Sequence, residues 1–150
     1  MASLYLWLKF FHIAGLGAFL VAHGVSAGSS LMLRRASSDA ARAALLRASI
    51  QSAAVFYPAL LVIVGTGVWM GFVGSWWHTG WIWAGIGTLV VVIVIMSAMS
   101  VPYHKARDAA NAKPPKDLEP ALKPARPIEL AVVGTIGLLV LFFLMVFKPF

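Results

Sequence analysis

The chain has 150 residues, 61% of them hydrophobic, and a formal net charge of +7. A composition this apolar excludes an ordinary soluble domain, and the absence of cysteine excludes disulfides, iron–sulfur clusters and thiolate metal sites. The basic residues gather in loops beside apolar runs, where topology and anionic lipid account for them, so nucleic acid is not an expected partner.

A hydrocarbon core of ~30 Å needs about 20 apolar residues per helix. Runs at about 4–33, 53–73, 81–101 and 130–147 meet that length. They predict an all-α fold, an integral membrane four-helix bundle that forms one membrane domain over residues 1–150. The first run is longer than required and should tilt or project. Val25-Ser26-Ala27 resembles a signal cleavage site, but the run is too long for a signal-peptide core and is read as a retained span.

Between the first two spans, Ser38-Asp39 offers a helix N-cap ahead of a short interfacial helix at 40–46 that leads into the second span. Pro58 is expected to kink the second span, and Gly67-x-x-x-Gly71, like Gly24-x-x-x-Gly28, fits a close helix–helix contact. The link Gly74-Ser75-Trp76-Trp77-His78-Thr79-Gly80-Trp81 reads as a tight turn anchored at the interface by tryptophan. Beyond the third span, residues 102–127 hold six prolines among Lys, Asp and Glu, a composition that predicts a mobile or extended linker.

Arg34, Arg35, Arg42, Arg47, Lys105, Arg107, Lys113, Lys116, Lys123 and Arg126 fall in the first and third loops, against Lys9 and Lys148 on the opposite side. The positive-inside rule then makes those loops cytoplasmic, with both termini on the outer side of a multi-pass protein in the cell's inner (cytoplasmic) membrane.

Within the first span lie His12 and His23. Eleven residues at ~100° each return to within about 20° of the starting direction, so both imidazoles share one stripe, roughly 16 Å apart along the axis. Ionisable groups at hydrocarbon depth usually face a protein interior and mark a ligand, metal or proton site. Gly15, Ser26 and Ala27 lie on the same face and leave room for a flat macrocycle beside an axial ligand. Counting from the basic loops, Met96 or Met99 of the third span lies across from His23. His12 lies at the level of Trp69, Met70, Trp76, Trp77, His78 and Met145, and His78 reaches it if the turn folds inward. The pattern fits haem b held by His12, His23 or both, with Met96 as a facing ligand and Gly15 and Ala27 beside the ring. Metal ligation by His12, His23 and His78 is the other form of the same site. The alternative is that the histidines only bridge helices through hydroxyls or carbonyls. The spans contain no carboxylate, which excludes a hard-cation site.

The string Tyr5-Leu6-Trp7-Leu8-Lys9-Phe10-Phe11-His12-Ile13 contains a Trp-x-Lys-x-x-His pattern. It resembles the opening of the HemJ-type protoporphyrinogen IX oxidases and the related copper-resistance D-like four-helix membrane proteins. Arg34-Arg35, Trp76-Trp77-His78, Tyr103-His104 and Phe147-Lys148-Pro149-Phe150 agree with the same layout. The resemblance implies that His12 is the haem-linked histidine and that the activity is six-electron oxidation of protoporphyrinogen IX with b haem. A lysine that family carries after the turn has no counterpart in Thr79-Gly80-Trp81-Ile82-Trp83, and His23 lies outside its pattern. The likeness therefore bears on the fold more than on the reaction.

Together these readings predict a haem-binding membrane protein with a redox role, a haem-dependent oxidoreductase if it is an enzyme, working with a porphyrin, a quinone or a respiratory partner. Two competing readings are an accessory subunit of a larger membrane complex and a copper-handling protein with His12, His23 and Met96 as ligands. Expected partners are membrane lipid and either a second copy of the chain, which would set two first spans face to face, or that larger complex.

Overall fold

The computed structural model describes residues 2–112 and 118–150, and these are helical throughout apart from short turns. Helix α1 spans Ala2–Leu33, α2 Asp39–Val73, α3 Gly80–Asn111, α4 Glu119–Leu122 and α5 Pro127–Phe147, with a single 3-10 turn at Trp76–His78. Four of the helical segments are long and apolar enough to cross a membrane. Leu61 is 73% exposed and Val21 68%, which a water-facing surface would not tolerate in such numbers but lipid does.

Ser38 caps α2 as its sequence predicts, its side chain accepting a hydrogen bond from the Ala41 amide at 3.2 Å. The expected interfacial helix is continuous with the span, so α2 runs 35 residues, about 52 Å at ~1.5 Å each, well beyond the ~30 Å hydrocarbon core. The linker expectation fails over its first part. Helix α3 continues through Pro102 to Asn111, because the proline removes one backbone donor while Tyr103, Ala106, Ala109 and Ala110 behind it are buried. Leu118 is buried as well, α4 gives one helical turn, and Pro127 opens α5 where its missing N–H has no helical partner to lose. Residues 113–117, the rest of the expected linker, lie outside the described residues.

Helix α1 packs chiefly along α2, and α3 along α5, while α1–α5 and α2–α3 touch less extensively. The order around the bundle is therefore α1, α2, α3, α5, two close pairs set side by side. One cluster forms the tightest packing: Leu33, Leu46, Tyr103, Ala106, Ala109, Ala110, Leu118 and Leu130, all at the end of the bundle that carries the basic loops. At the other end, Tyr5 of α1 meets Trp76 edge-on at 5.9 Å, and the Trp81 amide donates to the Phe150 carbonyl at 2.9 Å. Both chain ends therefore lie at this tryptophan end, on one face of the bundle.

Candidate functional site

Between the two helix pairs runs an elongated cavity of about 730 Å³. It reaches from Trp76, Trp77 and Trp81 at one end to Tyr103, His104 and Arg107 at the other. Its volume falls within the ~300–1,000 Å³ of sites for cofactor-sized molecules. His12 and His23 both line it, as the shared stripe predicts.

The two imidazoles are held differently. Nδ1 of His12 lies 3.0 Å from Oγ1 of Thr66 on α2. The Thr66 hydroxyl has one proton, and it goes to the backbone carbonyl of Val62 at 2.5 Å, with Ile63 O at 3.2 Å. With that proton so engaged, Thr66 is set to accept from His12 in the Nδ1–H tautomer, the form in which Nε2 keeps its lone pair. His23 turns the other way, towards α5, with Nε2 3.4 Å from Oγ1 of Thr135. Thr135 in turn donates to Ala131 O at 2.7 Å, so this long contact favours the tautomer with the proton on Nε2. Phe19, one turn before His23, lies parallel to its ring at 6.1 Å, within 3° of coplanar orientation.

Glycines make room for these rings. A Cβ at Gly67 would stand 3.2 Å from His12 Cε1, and one at Gly134 would stand 2.8 Å from His23 Cε1. Gly71, the partner of Gly67 in the small-residue pattern, receives the indole of Trp77, a Cβ there standing 3.0 Å from the ring. The motif read as a helix–helix contact thus forms notches for side chains. Among the described residues, no neighbouring helix comes within 4 Å of a Cβ placed at Gly24 or Gly28, so that pattern makes no close helix–helix contact there.

Met96 lies where the sequence count put it. Its Cε is 3.6 Å from the same Gly134 Cβ position that His23 approaches from α1, so both side chains converge on α5 at that glycine. Ala27 lines the cavity, but Gly15 does not: it is buried against Val62, Ile63 and the Ala59 carbonyl of α2. Met99 packs against the cluster at the basic end. His78 is not among the residues that line the cavity, whereas His104 is, together with Met70 and Met145 at the tryptophan end. Among the described residues no group of three or more His, Cys, Asp or Glu side chains is placed to hold a metal ion.

At the basic end, hydroxyls join three helices. Ser26 and Ser49 are 3.0 Å apart, Tyr103 OH donates to Ser49 Oγ at 3.3 Å, and Ser30 donates to Ser26 O at 3.0 Å with Tyr103 OH 3.4 Å away. Arg107 of α3 donates to Ser49 O of α2, and Arg47 of α2 donates to Ala110 O in the last turn of α3, where carbonyls lack helical partners. Apart from Ser26, which shares the histidine stripe, these groups and the two threonines were not legible as site residues. Their signal is their scarcity, since a buried imidazole must find a hydroxyl and the spans offer few.

The tryptophan end is closed by side chains. Lys148 Nζ lies 4.9 Å from the Trp76 ring centroid and 5.2 Å from that of Trp81, and the Phe150 ring lies against Gly80. Lys148 has φ of 45°, the left-handed conformation that ends α5 and turns the tail back over the bundle.

A family described as "Predicted integral membrane protein (DUF2269)" matches residues 6–149, and the chain belongs to that family. It is an integral, multi-pass membrane protein, in agreement with the four apolar helices. No curated protein and no solved structure matches.

Proposed function

We propose that this member of the DUF2269 family binds haem b at the tryptophan end of its cavity, through Nε2 of His12, and serves a redox role in the membrane. The observation that carries the reading is the His12–Thr66 pair. A histidine that ligates a metal through one nitrogen nearly always donates its other N–H to an acceptor, which fixes the ring and raises its basicity. His12 offers that arrangement in its Nδ1–H tautomer, which Thr66 favours as an acceptor at 3.0 Å. His23 has the reverse, with Nε2 committed to Thr135, so it is the weaker candidate for haem iron.

Small residues and aromatics around His12 suit a flat ring, and Met145, which lines the same end of the cavity, would be available as a second ligand. Met145 belongs to the facing helix pair and its Cε reaches to 3.5 Å from the Gly85 Cβ position, at a depth on α3 similar to that of Gly67 on α2. Bound haem supplies a one-electron redox centre whose potential depends on its axial ligands and burial. The chain's own part is to fix the His12 ring, to exclude water beneath the tryptophan cap and to keep the site within the bilayer.

The test is the optical spectrum of the detergent-purified protein after haem reconstitution. A Soret band with a sharp reduced α band at about one haem per chain is expected, abolished in His12→Ala and retained in His23→Ala. No specific haem uptake, or uptake indifferent to His12, overturns the reading. Rescue of a strain lacking protoporphyrinogen oxidase separates the enzymatic form, which the HemJ resemblance implies, from an electron carrier. A copper reading draws on the convergence of His23 and Met96 at Gly134. Metal analysis of the same preparations, with copper lost in His23→Ala and no Soret band, would favour it.

A further inference from the structure

Arg107 stands at the opposite end of the cavity from His12, and its chemistry is unfinished. Its Nε is fully buried with no hydrogen-bond partner. Nη2 is engaged by Ser49 O, and the guanidinium carbon sits 5.9 Å from the centroid of the Tyr103 ring. Among the described residues, the ion pairs are Arg42–Asp39 and Arg126–Glu129, and neither includes Arg107. A guanidinium is always charged, and a buried N–H of a charged group without an acceptor is strongly unfavourable. None of the neighbouring hydroxyls of Ser26, Ser30, Ser49 and Tyr103 is within hydrogen-bond reach of that Nε, and they are engaged with one another and with the Ser26 carbonyl.

The shape of the cavity says what kind of acceptor fits. Beyond Arg107 the walls are mostly apolar, interrupted by His12, His23 and a few serines. They include Tyr57 and Val64 of α2 and Ile93 and Val101 of α3, which also lie on the exposed surface. These exposed lining residues give the cavity a side mouth between α2 and α3, along the apolar stretch of both helices, and Arg107 with its unpaired Nε marks the basic end. A compact water-soluble anion has no use for the apolar walls, and a neutral hydrocarbon leaves the Arg107 N–H unpaired.

We propose that the basic end of the cavity binds the oxyanion head of an amphiphile, carboxylate or phosphate, on Arg107, while its apolar body lies along the cavity and enters from the bilayer between α2 and α3. This goes beyond the haem reading and is independent of it. Ser30, beside Tyr103 at the basic end, is eighteen residues from His12 on α1, about 27 Å along the axis, too far for one haem to engage both.

The test uses the full chain, delipidated in detergent, with oleate as carboxylate probe and oleyl alcohol as its uncharged counterpart, read by the shift in thermal unfolding temperature across a titration. Oleate should bind at least about tenfold more tightly than the alcohol, the ratio expected for a charge-assisted hydrogen bond. That preference should vanish in Arg107→Gln and survive in part in Arg107→Lys. Equal affinity for the two probes in the natural chain, or an oleate preference unchanged in Arg107→Gln, overturns the proposal. Because Arg107 also braces Ser49, the lysine variant keeps the test valid if the glutamine variant does not fold. The source is read by repeating the oleate titration in nanodiscs of phosphatidylglycerol or of phosphatidylcholine. Suppression by both lipids identifies a phospholipid phosphate as the natural head, suppression by phosphatidylglycerol alone narrows it to a net-anionic phospholipid, and binding undiminished in both identifies a free carboxylate. Inorganic phosphate alone should give no shift, and a shift equal to that of oleate also overturns the proposal. The haem spectrum is expected to be unaffected by Arg107→Lys, so failure here leaves the His12 reading standing and failure there leaves this one.

Discussion

At the basic end, Leu46, Ala106 and Ala110 have no exposed surface and Ser49 has 1%, while halfway along the bundle the same helices stand apart around about 730 Å³. The contrast follows from the solvent on each side. Helices α1, α2 and α3 are longer than the hydrocarbon core is thick, so their basic ends reach water, where burying apolar surface drives compaction. Within lipid that force is absent, since acyl chains are as apolar as leucine, and helix association rests on close packing and hydrogen bonds. A hollow interior is therefore inexpensive at hydrocarbon depth, provided that the ends are tied. Here one end is tied by a small water-bounded core and the crossed arginines, the other by the tryptophan cap.

The sharpest way to break this comparison is to truncate a leucine in each region. Leu46→Ala should cost about 2–5 kcal/mol of stability, because it opens a void in a closed cluster. Leu89→Ala, in the cavity wall, should cost less than about 1 kcal/mol, since it only enlarges an existing space bordered by lipid. Unfolding titrations with SDS in mixed micelles compare the two, and equal costs would mean that the regions do not differ as argued. A smaller effect probes the hollow region's polar fittings. Thr66→Val keeps shape but removes the acceptor of His12 Nδ1–H, and should weaken haem uptake by about 10–100-fold without abolishing it. The same change at Thr135 should leave uptake nearly unchanged. The smallest effect belongs to the cap, where Lys148→Ala should destabilise by about 0.5–1 kcal/mol, the worth of an exposed cation–π contact, and should leave the basic-end core untouched. Hydrogen exchange localised to the tryptophan end checks that last outcome.

Much of this architecture is legible before any coordinates. Bilayer thickness fixes the length of a spanning run, and the apolar runs sit where the long helices form. The histidine stripe is legible because helical period fixes which residues of α1 share a face. Period does not fix how the other helices are rotated against α1, so Thr66 and Thr135 emerge only when α2 and α5 take their places on either side. The same gap explains Gly15, which shares the stripe by counting yet packs on α2. Residues 102–111 mislead for another reason. Proline density argues for an open linker, but a single proline, Pro102, precedes an alanine-rich stretch that buries itself against the bundle, and tertiary contact overrides local composition. Arg107 reads as one more topology-setting charge until its burial beside the cavity is seen.

The sideways mouth between α2 and α3 changes the arithmetic of occupancy. A guest that arrives through it never has to dissolve in water, since each methylene it carries already favours the bilayer by ~0.8 kcal/mol. Its working concentration is set by its mole fraction among lipids, so modest intrinsic affinity is enough to keep the seat filled. The rival for that seat is the neighbouring acyl chain, present in vast excess, and discrimination must fall to the few polar atoms within.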